Sequence, residues 1–218
     1  MSTTLSALIF DLDGVITDTA EFHFLAWSRL AQEEGIPFTR EDNEALRGVS
    51  RRESLNRMLK GRAIDEATAQ AWMERKNNYY LAYLESITPD YRLPGVMPLL
   101  QAARGAGIRL GIASASKNAR LVLDKLELLD AFDAIGDGYS VVNPKPAPDL
   151  FIWVAGRLGI SPPQAAVFED AEAGIEAARA GGFWTVGIGA ATRGLAHLHY
   201  DTMDEVSLDT LISRLGAG

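Results

Sequence analysis

Two aspartates follow directly after an apolar stretch near the start of the chain. The stretch 8–10 has the pattern of the end of a buried strand, and Asp11-Leu12-Asp13-Gly14 comes where that strand should end. Open α/β folds bind their ligands at the carboxyl ends of strands, so Asp11 and Asp13 are candidates for chemistry. Aspartate and glycine are also common in ordinary turns, so this motif needs support from the rest of the chain.

Polar side chains also follow two later strands that the sequence predicts. Ser114 follows the second of these strands, and Glu169 and Asp170 follow the third. Lys145 lies between two prolines, just before a predicted helix. In a parallel sheet the strand ends lie along one edge, so these residues should converge although they are distant in the sequence.

The predicted cluster suits phosphoryl transfer. Four carboxylates in one small site would raise one another's pKa unless a cation lay among them, and Mg²⁺ is the natural cation for oxygen ligands. With the metal and Lys145 nearby, Asp11 would stay ionised and attack a phosphoryl group, forming an aspartyl phosphate. Asp13 would donate and accept the proton, while Ser114 and the amides after it would bind the other phosphoryl oxygens.

The order of the predicted elements indicates an α/β fold with a doubly wound parallel-sheet (Rossmann-like) core and an inserted helical cap. No strand is predicted between residues 15 and 93. We therefore expect a core formed by residues 1–16 and 92–218 and a four-helix cap formed by residues 17–91. The predicted cap helices are 19–34, 41–46, 52–59 and 66–84. The predicted core helices are 96–104, 119–128, 149–158, 171–180 and a weak one at 204–215; the strands after the first are 108–113, a short piece at 134–135, 165–168 and 184–188.

The composition excludes several classes of protein. The 218 residues are 47% hydrophobic and 23% charged, as in a globular protein. A net charge of −8 argues against binding to nucleic acid or to an anionic membrane, and an anionic substrate would need a local cluster of Lys, Arg or metal. The chain has no cysteine, which excludes disulfides and fits a reducing compartment. We therefore expect a cytoplasmic protein.

The motifs together resemble the four signature motifs of the haloacid dehalogenase superfamily of phosphotransferases. They are Asp11-Leu12-Asp13-Gly14, Ser114, Lys145 and Glu169-Asp170. Other segments are similar to the β-phosphoglucomutase family within that superfamily; they are 15–23, 48–51, 75–77, 113–118 and 145–149. This resemblance implies an isomerase that interconverts β-glucose 1-phosphate and glucose 6-phosphate through bound β-glucose 1,6-bisphosphate, with Mg²⁺ as cofactor. It also suggests a monomer, because cap and core enclose one site.

Each role is carried over only to a matching residue of this chain. The resemblance makes Asp11 the nucleophile and Asp13 the general acid and base. The implied metal ligands are Asp11, the backbone carbonyl of Asp13, and Asp170. Glu169 is implied either as a direct ligand or as a residue that contacts a ligand of the metal. The implied contacts to the transferring phosphoryl group are Ser114 and Lys145. Those to the other phosphate are Arg51, Ser116, Lys117 and Asn118, next to Ala115. The implied sugar-side residues are His23, Trp27, Gly48, Val49, Ser50 and Lys76.

Four of these residues also have ordinary structural interpretations. On the sequence pattern alone, His23 would be a half-exposed polar residue, Trp27 would pack between helices and Lys76 would lie on a solvated helix face. Lys117 could simply begin a helix. We also hypothesise that Thr19 and His23 hold Asp13 away from the site until a sugar phosphate binds.

The loop before Lys145 departs from the family pattern. Asn143-Pro144 stands where relatives carry a small or polar residue, so both neighbours of Lys145 are prolines. We expect a stiff loop and hypothesise that the Lys145–Pro146 bond is cis.

Two other functions stay open at this stage. A hexose-phosphate phosphatase would use the same site and release free phosphate, because the two activities differ only in what attacks the aspartyl phosphate. A phospho-accepting signalling domain also combines an aspartate, acidic metal ligands, a Ser or Thr and a lysine, although it needs no helical cap. A phosphonate-cleaving relative is disfavoured, because Asp13 is typical of enzymes that act on phosphate esters.

Overall fold

The computed structural model describes residues 4–216, in which strands and helices alternate after a helical block. The strands are β1 (Ala7–Phe10), β2 (Arg109–Ala113), β3 (Ala134–Gly136), β4 (Ala165–Glu169), β5 (Trp184–Ile188) and β6 (Leu198–Tyr200). The helices are α1 (Ala20–Glu33), α2 (Arg40–Glu44), α3 (Arg51–Leu59), α4 (Glu66–Leu84), α5 (Val96–Gly105), α6 (Ala119–Lys125), α7 (Asp149–Leu158), α8 (Glu172–Ala180) and α9 (Leu208–Leu215). None of these helices is long and apolar enough to cross a membrane. Residues 1–3 and 217–218 of the predicted core lie outside the described range.

The six strands form one parallel sheet in the order β3-β2-β1-β4-β5-β6. β1 lies between β2 and β4, and Phe10 is in register with both Ile112 and Phe168. The carboxyl ends of these three strands are therefore level along one edge. This topology confirms the predicted doubly wound α/β fold.

The sheet is covered by helices on both faces. In β1, Leu8 and Phe10 point to one face, where they join an apolar cluster with residues of α5, α6 and α9. Ala7 and Ile9 point to the other face, against α7 and α8. The Phe10 and Phe168 rings stack 4.6 Å apart. Because both faces are covered, the central strands are apolar throughout rather than alternating.

The helices α1–α4, which we call the cap helices, lie in the chain between β1 and α5. They have an apolar cluster of their own, which includes Trp27, Leu30, Leu55, Met58 and Trp72. The two segments that connect them to the core run side by side. Thr17 Oγ1 donates to the Tyr91 carbonyl at 2.8 Å, and the Leu93 amide donates to the Ile16 carbonyl at 2.9 Å.

Four elements differ from the sequence prediction by two residues or more. The helix predicted at 41–46 is α2, which ends at Glu44. The edge strand β6 was not predicted, because its three half-buried residues form no apolar run. The predicted helix 119–128 was too long: α6 ends at Lys125, and Glu127 has a positive φ of 53° that an α-helix cannot accommodate. The terminal helix begins at Leu208 rather than at residue 204, after a 3₁₀ turn at Met203–Glu205.

Candidate active site

The ends of three neighbouring strands bring the predicted core residues together. Asp11 follows β1, Ser114 follows β2 and Asp170 follows β4, and all three line one cavity. The Asp11 backbone N–H donates to the Phe168 carbonyl at 2.9 Å, so the β1–β4 ladder continues as far as this aspartate. Asp11 Oδ2 accepts the backbone N–H of Asp13 at 3.0 Å. The sheet thus sets the position of the Asp11 carboxylate.

Lys145 is buried between two carboxylates of the core. Its ammonium donates to Asp11 Oδ1 at 2.5 Å and to Glu169 Oε1. Burial alone would lower the pKa of Lys145, but the charges of Asp11 and Glu169 raise that pKa above its usual value. The loop that carries Lys145 contains the Lys145–Pro146 bond in the cis form, which confirms the hypothesis made from the sequence. The two ion pairs, with Asp11 and with Glu169, make Lys145 a charged lysine in a fixed position.

Glu169 contacts Lys145 and does not face the cavity. Its side chain is fully buried, binds Lys145 and accepts the Ala171 backbone N–H at 3.1 Å through Oε2. Burial raises the pKa of Glu169, and Lys145 counteracts this effect. Glu169 does not line the cavity that contains Asp11, Ser114 and Asp170.

Asp13 lines the cavity, unlike Lys145, and has no cation of the described range as a hydrogen-bond partner. Its Oδ1 accepts a hydrogen bond from Thr19 Oγ1, which also lies 3.1 Å from the Tyr80 hydroxyl. Burial and the neighbouring Asp11 charge raise the pKa of Asp13 to about 6. An acid with a pKa close to neutrality exchanges protons readily in both directions, which suits a general acid and base.

Arg47 was missed by the sequence analysis. It lies between α2 and α3, lines the cavity and forms an ion pair with Asp170, with 3.5 Å between Nη1 and Oδ2. Burial, followed by the charges of Glu169 and Asp11, raises the pKa of Asp170 well above its usual value despite this ion pair. The only available signal in the sequence was that Arg47 directly precedes the Gly48–Arg51 motif.

The donors at this sheet edge fit Mg²⁺. The described residues contain no group of three acidic, histidine or cysteine side chains that could hold a metal ion. Mg²⁺ does not need such a group, because it binds one or two carboxylates and completes its octahedron with water and substrate phosphate. Asp11 and Asp170 provide two cavity-lining carboxylates, and a Cβ at Gly14 would overlap the Asp170 carboxylate. A glycine is thus required for the close approach of this loop to Asp170.

The cap helices place a second lysine opposite the core carboxylates. Lys76 is 3% exposed, and its Nζ lies 2.8 Å from His23 Nδ1 and within 5 Å of the Trp27 and Tyr80 ring centroids. Burial and the charge of Arg51 hold the pKa of Lys76 well below its usual range. Burial, Lys76 and Arg51 likewise hold the pKa of His23 well below its usual range. The Lys76 side chain is therefore buried, contrary to the solvated face that its sequence pattern suggested.

An asparagine of α4 connects the cap helices to the core through two hydrogen bonds. Asn77 Oδ1 accepts from Arg51 Nη2 at 2.8 Å and from Asn118 Nδ2 at 2.9 Å. Nearby, the Ser116 N–H donates to Ser114 Oγ at 3.1 Å. Lys117 does not begin α6, which starts at Ala119, and its ammonium lies 4.7 Å from the Tyr139 ring centroid. Several donors for an anion therefore converge here.

Most of the predicted site residues line the same cavity. They are Asp11, Asp13, His23, Trp27, Gly48, Val49, Arg51, Lys76, Ser114, Ala115, Ser116, Lys117 and Asp170. The predicted residues that do not line it are Thr19, Ser50, Asn118, Lys145 and Glu169. Ser50 is instead the N-cap residue of α3, and its Oγ accepts the Glu53 N–H at 3.2 Å. The lining residues that the sequence analysis missed are Ala20, Asn43, Leu46, Arg47 and Ser54.

Thr19 fulfils only part of the hypothesis about Asp13. Thr19 does bind the Asp13 carboxylate, whereas the polar partner of His23 is Lys76 and its ring stacks on Tyr80 at 4.1 Å. That these contacts control the position of Asp13 during binding stays a prediction.

The parallel sheet, with carboxylates, a serine and a lysine near the ends of its strands, can be compared with known families of proteins. A family model described as haloacid dehalogenase-like hydrolase matches residues 5–182. The chain therefore belongs to the haloacid dehalogenase-like hydrolases.

Individual members of the family are similar over most of the chain. The β-phosphoglucomutase of Bacillus subtilis (strain 168) is 44% identical over 189 residues, which cover 85% of this chain and 84% of that protein. The crystal structure of β-phosphoglucomutase from Clostridium difficile matches with a TM-score of 0.93 at 38% identity and covers 97% of both chains. The phosphorylated carbohydrates phosphatase of Thermotoga maritima is 31% identical over 181 residues, 82% of each chain.

Proposed function

We propose that the chain is a phosphomutase that interconverts β-D-glucose 1-phosphate and D-glucose 6-phosphate. The strongest support is the 44% identity to the Bacillus subtilis β-phosphoglucomutase, together with a structural match that covers 97% of the chain and hence the cap helices. The site adds a chemical reason. Asp11 with a fixed lysine and Asp13 with a pKa near 6 provide a nucleophile and a proton carrier on one strand end.

In the first half-reaction the phosphoryl group moves from Asp11 to the sugar. Asp13 accepts the proton of the C6 hydroxyl of β-glucose 1-phosphate, and the oxygen attacks the phosphorus of the aspartyl phosphate. The bond between phosphorus and the Asp11 oxygen breaks, which gives β-glucose 1,6-bisphosphate and a free Asp11 carboxylate. Lys145, in contact with Asp11 Oδ1, neutralises part of the charge that develops there.

In the second half-reaction the bisphosphate reacts in its other orientation. The Asp11 carboxylate attacks the phosphorus at C1, and Asp13 donates its proton to the C1 oxygen as that oxygen leaves. The products are glucose 6-phosphate and a regenerated aspartyl phosphate. Catalytic glucose 1,6-bisphosphate would prime the enzyme by phosphorylating Asp11.

Magnesium would be held by Asp11, the Asp13 carbonyl and Asp170, where it would reduce the repulsion between the phosphoryl oxygens and the carboxylates. Ser114 and the amides after it would bind the transferring phosphoryl group together with Lys145. The other phosphate would bind at Arg51, Ser116, Lys117 and Asn118. Arg51, Lys117 and Lys145 supply the local positive charge that a chain with a net charge of −8 requires for an anionic substrate.

The buried lysine of the cap explains how the sugar would be recognised. Lys76 and His23 face the cavity from the cap helices, and burial has removed water from Lys76 without supplying a carboxylate hydrogen bond among the described residues. A sugar phosphate would bring oxygen acceptors and negative charge to this lysine. We expect this interaction to favour closure of the cap on the substrate.

We further propose that the enzyme works in the cytoplasm as a monomer. The cavity is lined by residues of one chain, from both the cap helices and the strand ends. The absence of cysteine from the sequence fits a reducing compartment.

A magnesium-dependent assay tests the proposal directly. Purified protein is given β-glucose 1-phosphate and catalytic glucose 1,6-bisphosphate, and glucose 6-phosphate and free phosphate are measured in the same samples. We expect glucose 6-phosphate to form without comparable release of phosphate, and the rate to fall when the bisphosphate is omitted.

A phosphatase is the second candidate function, because the Thermotoga maritima relative is a phosphorylated carbohydrates phosphatase. It predicts stoichiometric free phosphate and no dependence on the bisphosphate. That result would contradict the mutase proposal while leaving the roles of Asp11 and Asp13 in place.

A further inference from the structure

The cavity wall contains a buried amide that has no polar partner. Asn43 lies in α2, lines the cavity and is 6% exposed. Its Oδ1 is inaccessible to water and accepts no hydrogen bond from any residue of the described range 4–216. The backbone of Asn43 is satisfied: its N–H donates to the Thr39 carbonyl, and its own carbonyl accepts the Leu46 N–H. The buried unpaired atom is therefore the side-chain oxygen Oδ1.

An unpaired buried amide weakens a fold, because the group loses its hydrogen bonds to water and gains none in return. Leucine has nearly the same shape and would fill the position without this cost. The neighbouring Ser54 shows the alternative: it is also buried and lines the cavity, but its hydroxyl donates to the Ser50 carbonyl at 3.1 Å. Asn43 is thus a cavity-lining residue whose amide oxygen has no partner in the described range, and a half-turn of the amide group would exchange this oxygen with the amide nitrogen, which is not among the buried unpaired atoms.

We propose that Asn43 recognises a hydroxyl group of the sugar ring and contributes to the choice of sugar. This inference rests on the proposed function. An amide oxygen accepts hydrogen bonds, and a hydroxyl can donate one, whereas a phosphate group at neutral pH offers mainly acceptors. The same cavity wall carries Trp27 and Leu46, which provide apolar surface for the carbon atoms of a ring.

The test compares wild-type protein with Asn43→Leu and Asn43→Ala. For each protein, kcat/KM is measured for β-glucose 1-phosphate and for its 2-deoxy, 3-deoxy and 4-deoxy analogues. A site that binds a hydroxyl strongly disfavours the analogue that lacks it. We expect the wild type to discriminate against one analogue in particular, and Asn43→Leu to reduce that single ratio at least about tenfold while the other two ratios stay similar.

The melting temperature without ligand separates recognition from a structural role. Asn43→Leu removes an unsatisfied buried group, so we expect it to melt at the same temperature as the wild type or higher. A large decrease in melting temperature together with an equal loss on all four substrates would indicate a structural role and would overturn the proposal. Asn43→Ala, which leaves space in the wall, should show the same change in discrimination.

Ser28→Ala is the matched control, because Ser28 Oγ is also a buried atom without a partner but does not line the cavity. It should leave all three ratios unchanged. If wild type and Asn43→Leu discriminate equally against every analogue, the inference about Asn43 is wrong although the enzyme acts on hexose phosphates. If the wild type turns over no hexose phosphate, the proposed function fails, and this inference fails with it.

Discussion

The core and the cap helices each bury one lysine at the site, and the two lysines differ in how their charge is balanced. Lys145 in the core binds the carboxylates of Asp11 and Glu169, which raise its pKa. Lys76 in the cap is as deeply buried, but its polar contact is the His23 ring, and burial and Arg51 lower its pKa. The core balances its buried cation with two hydrogen-bonded carboxylates, whereas the cap lysine has no carboxylate at hydrogen-bond distance in the described range and is offset only by the more distant charge of Asp13.

This difference fits a catalytic role for the core lysine and a role in substrate recognition for the cap lysine, as proposed above. A nucleophile needs a fixed electrostatic environment before the substrate arrives, since preorganised charges require no rearrangement during the reaction. A buried cation without a counter-charge is unfavourable in the free protein and becomes favourable when an anionic ligand binds. We therefore expect the cap to gain more from a bound anion than the core does, as the proposed closure of the cap on the substrate requires.

Asp11→Asn should have the largest effect on activity. The amide keeps the shape of the side chain but cannot form an acyl phosphate, so we expect turnover to fall by roughly 10⁴-fold or more. Lys145 retains Glu169 as its partner in this variant, so the fold should persist. The measurement is the rate of glucose 6-phosphate formation, with Asp124→Asn on the exposed surface of α6 as control. Turnover within tenfold of the wild type would exclude Asp11 as the nucleophile.

Lys145→Met should have the largest effect on stability. It leaves the carboxylates of Asp11 and Glu169 buried without their cation, and breaking a buried ion pair in this way costs about 3–5 kcal/mol. Urea unfolding measures the loss in the free energy of unfolding, and Lys125→Met on α6 serves as a control for a lysine outside the site. If the two variants were equally stable, the core would not depend on the balance of charge described here.

The core residues could be predicted from the sequence because the backbone alone brings them together. Once β1, β2 and β4 are parallel and in register, Asp11, Ser114 and Asp170 must lie at one edge. Strand ends can be recognised from local patterns of apolar residues followed by polar ones. Lys145 lies on a loop, so it was predicted less directly, from its position between two prolines before a helix, and the superfamily motif then supported this placement.

The cap residues could not be predicted in the same way. Whether Lys76 is buried depends on how α1 packs against α4, and the sequence around it has the pattern of a solvated helix face. Asn43 lies in the five-residue helix α2 and Arg47 in the loop after it, and both line the cavity. Segments this short have no periodic pattern of apolar residues that would predict which side chains face the cavity. The resemblance to a family found Lys76 and His23, but it did not indicate that the lysine would lack a carboxylate partner.

Lys76→Met should stabilise the free protein, in contrast to Lys145→Met. The methionine side chain fills a similar space without a buried charge, so we expect the free energy of unfolding to rise by about 1–3 kcal/mol at pH 7. Because the pKa of Lys76 is lower in the folded than in the unfolded chain, the unfolded chain binds more protons between those two pKa values. The wild type therefore gains stability as the pH rises towards about 10.4, and the advantage of the variant shrinks.

Urea unfolding of the wild type and Lys76→Met at pH 7 and pH 9.5 measures this effect, with Lys125→Met treated identically. The same variant should bind β-glucose 1-phosphate more weakly than the wild type. A variant that is less stable than the wild type at pH 7 would show that the cap already balances the charge of Lys76, and the contrast between the two lysines would be lost.

Asn77→Ala should have the smallest effect, because it changes how donors are oriented rather than which donors are present. Its Oδ1 accepts hydrogen bonds from Arg51 in the cap and Asn118 in the core, two proposed ligands of the non-transferring phosphate. Without it, each donor must be ordered by the substrate itself, at a cost of about 1 kcal/mol, or roughly five- to tenfold in affinity. We expect KM for β-glucose 1-phosphate to rise by this factor while kcat changes less.

The neighbouring Asn78 provides a control of the same residue type, because it is exposed on the same helix. Asn78→Ala should leave both kinetic constants unchanged. If Asn77→Ala lowers kcat and leaves KM as it is, then Asn77 acts on the reacting end of the substrate rather than on the second phosphate. An increase in KM alone would instead show that Asn77 acts on recognition of the second phosphate. The hydrogen bonds from Arg51 in the cap and Asn118 in the core to Asn77 would then hold these two phosphate donors in place before the substrate binds.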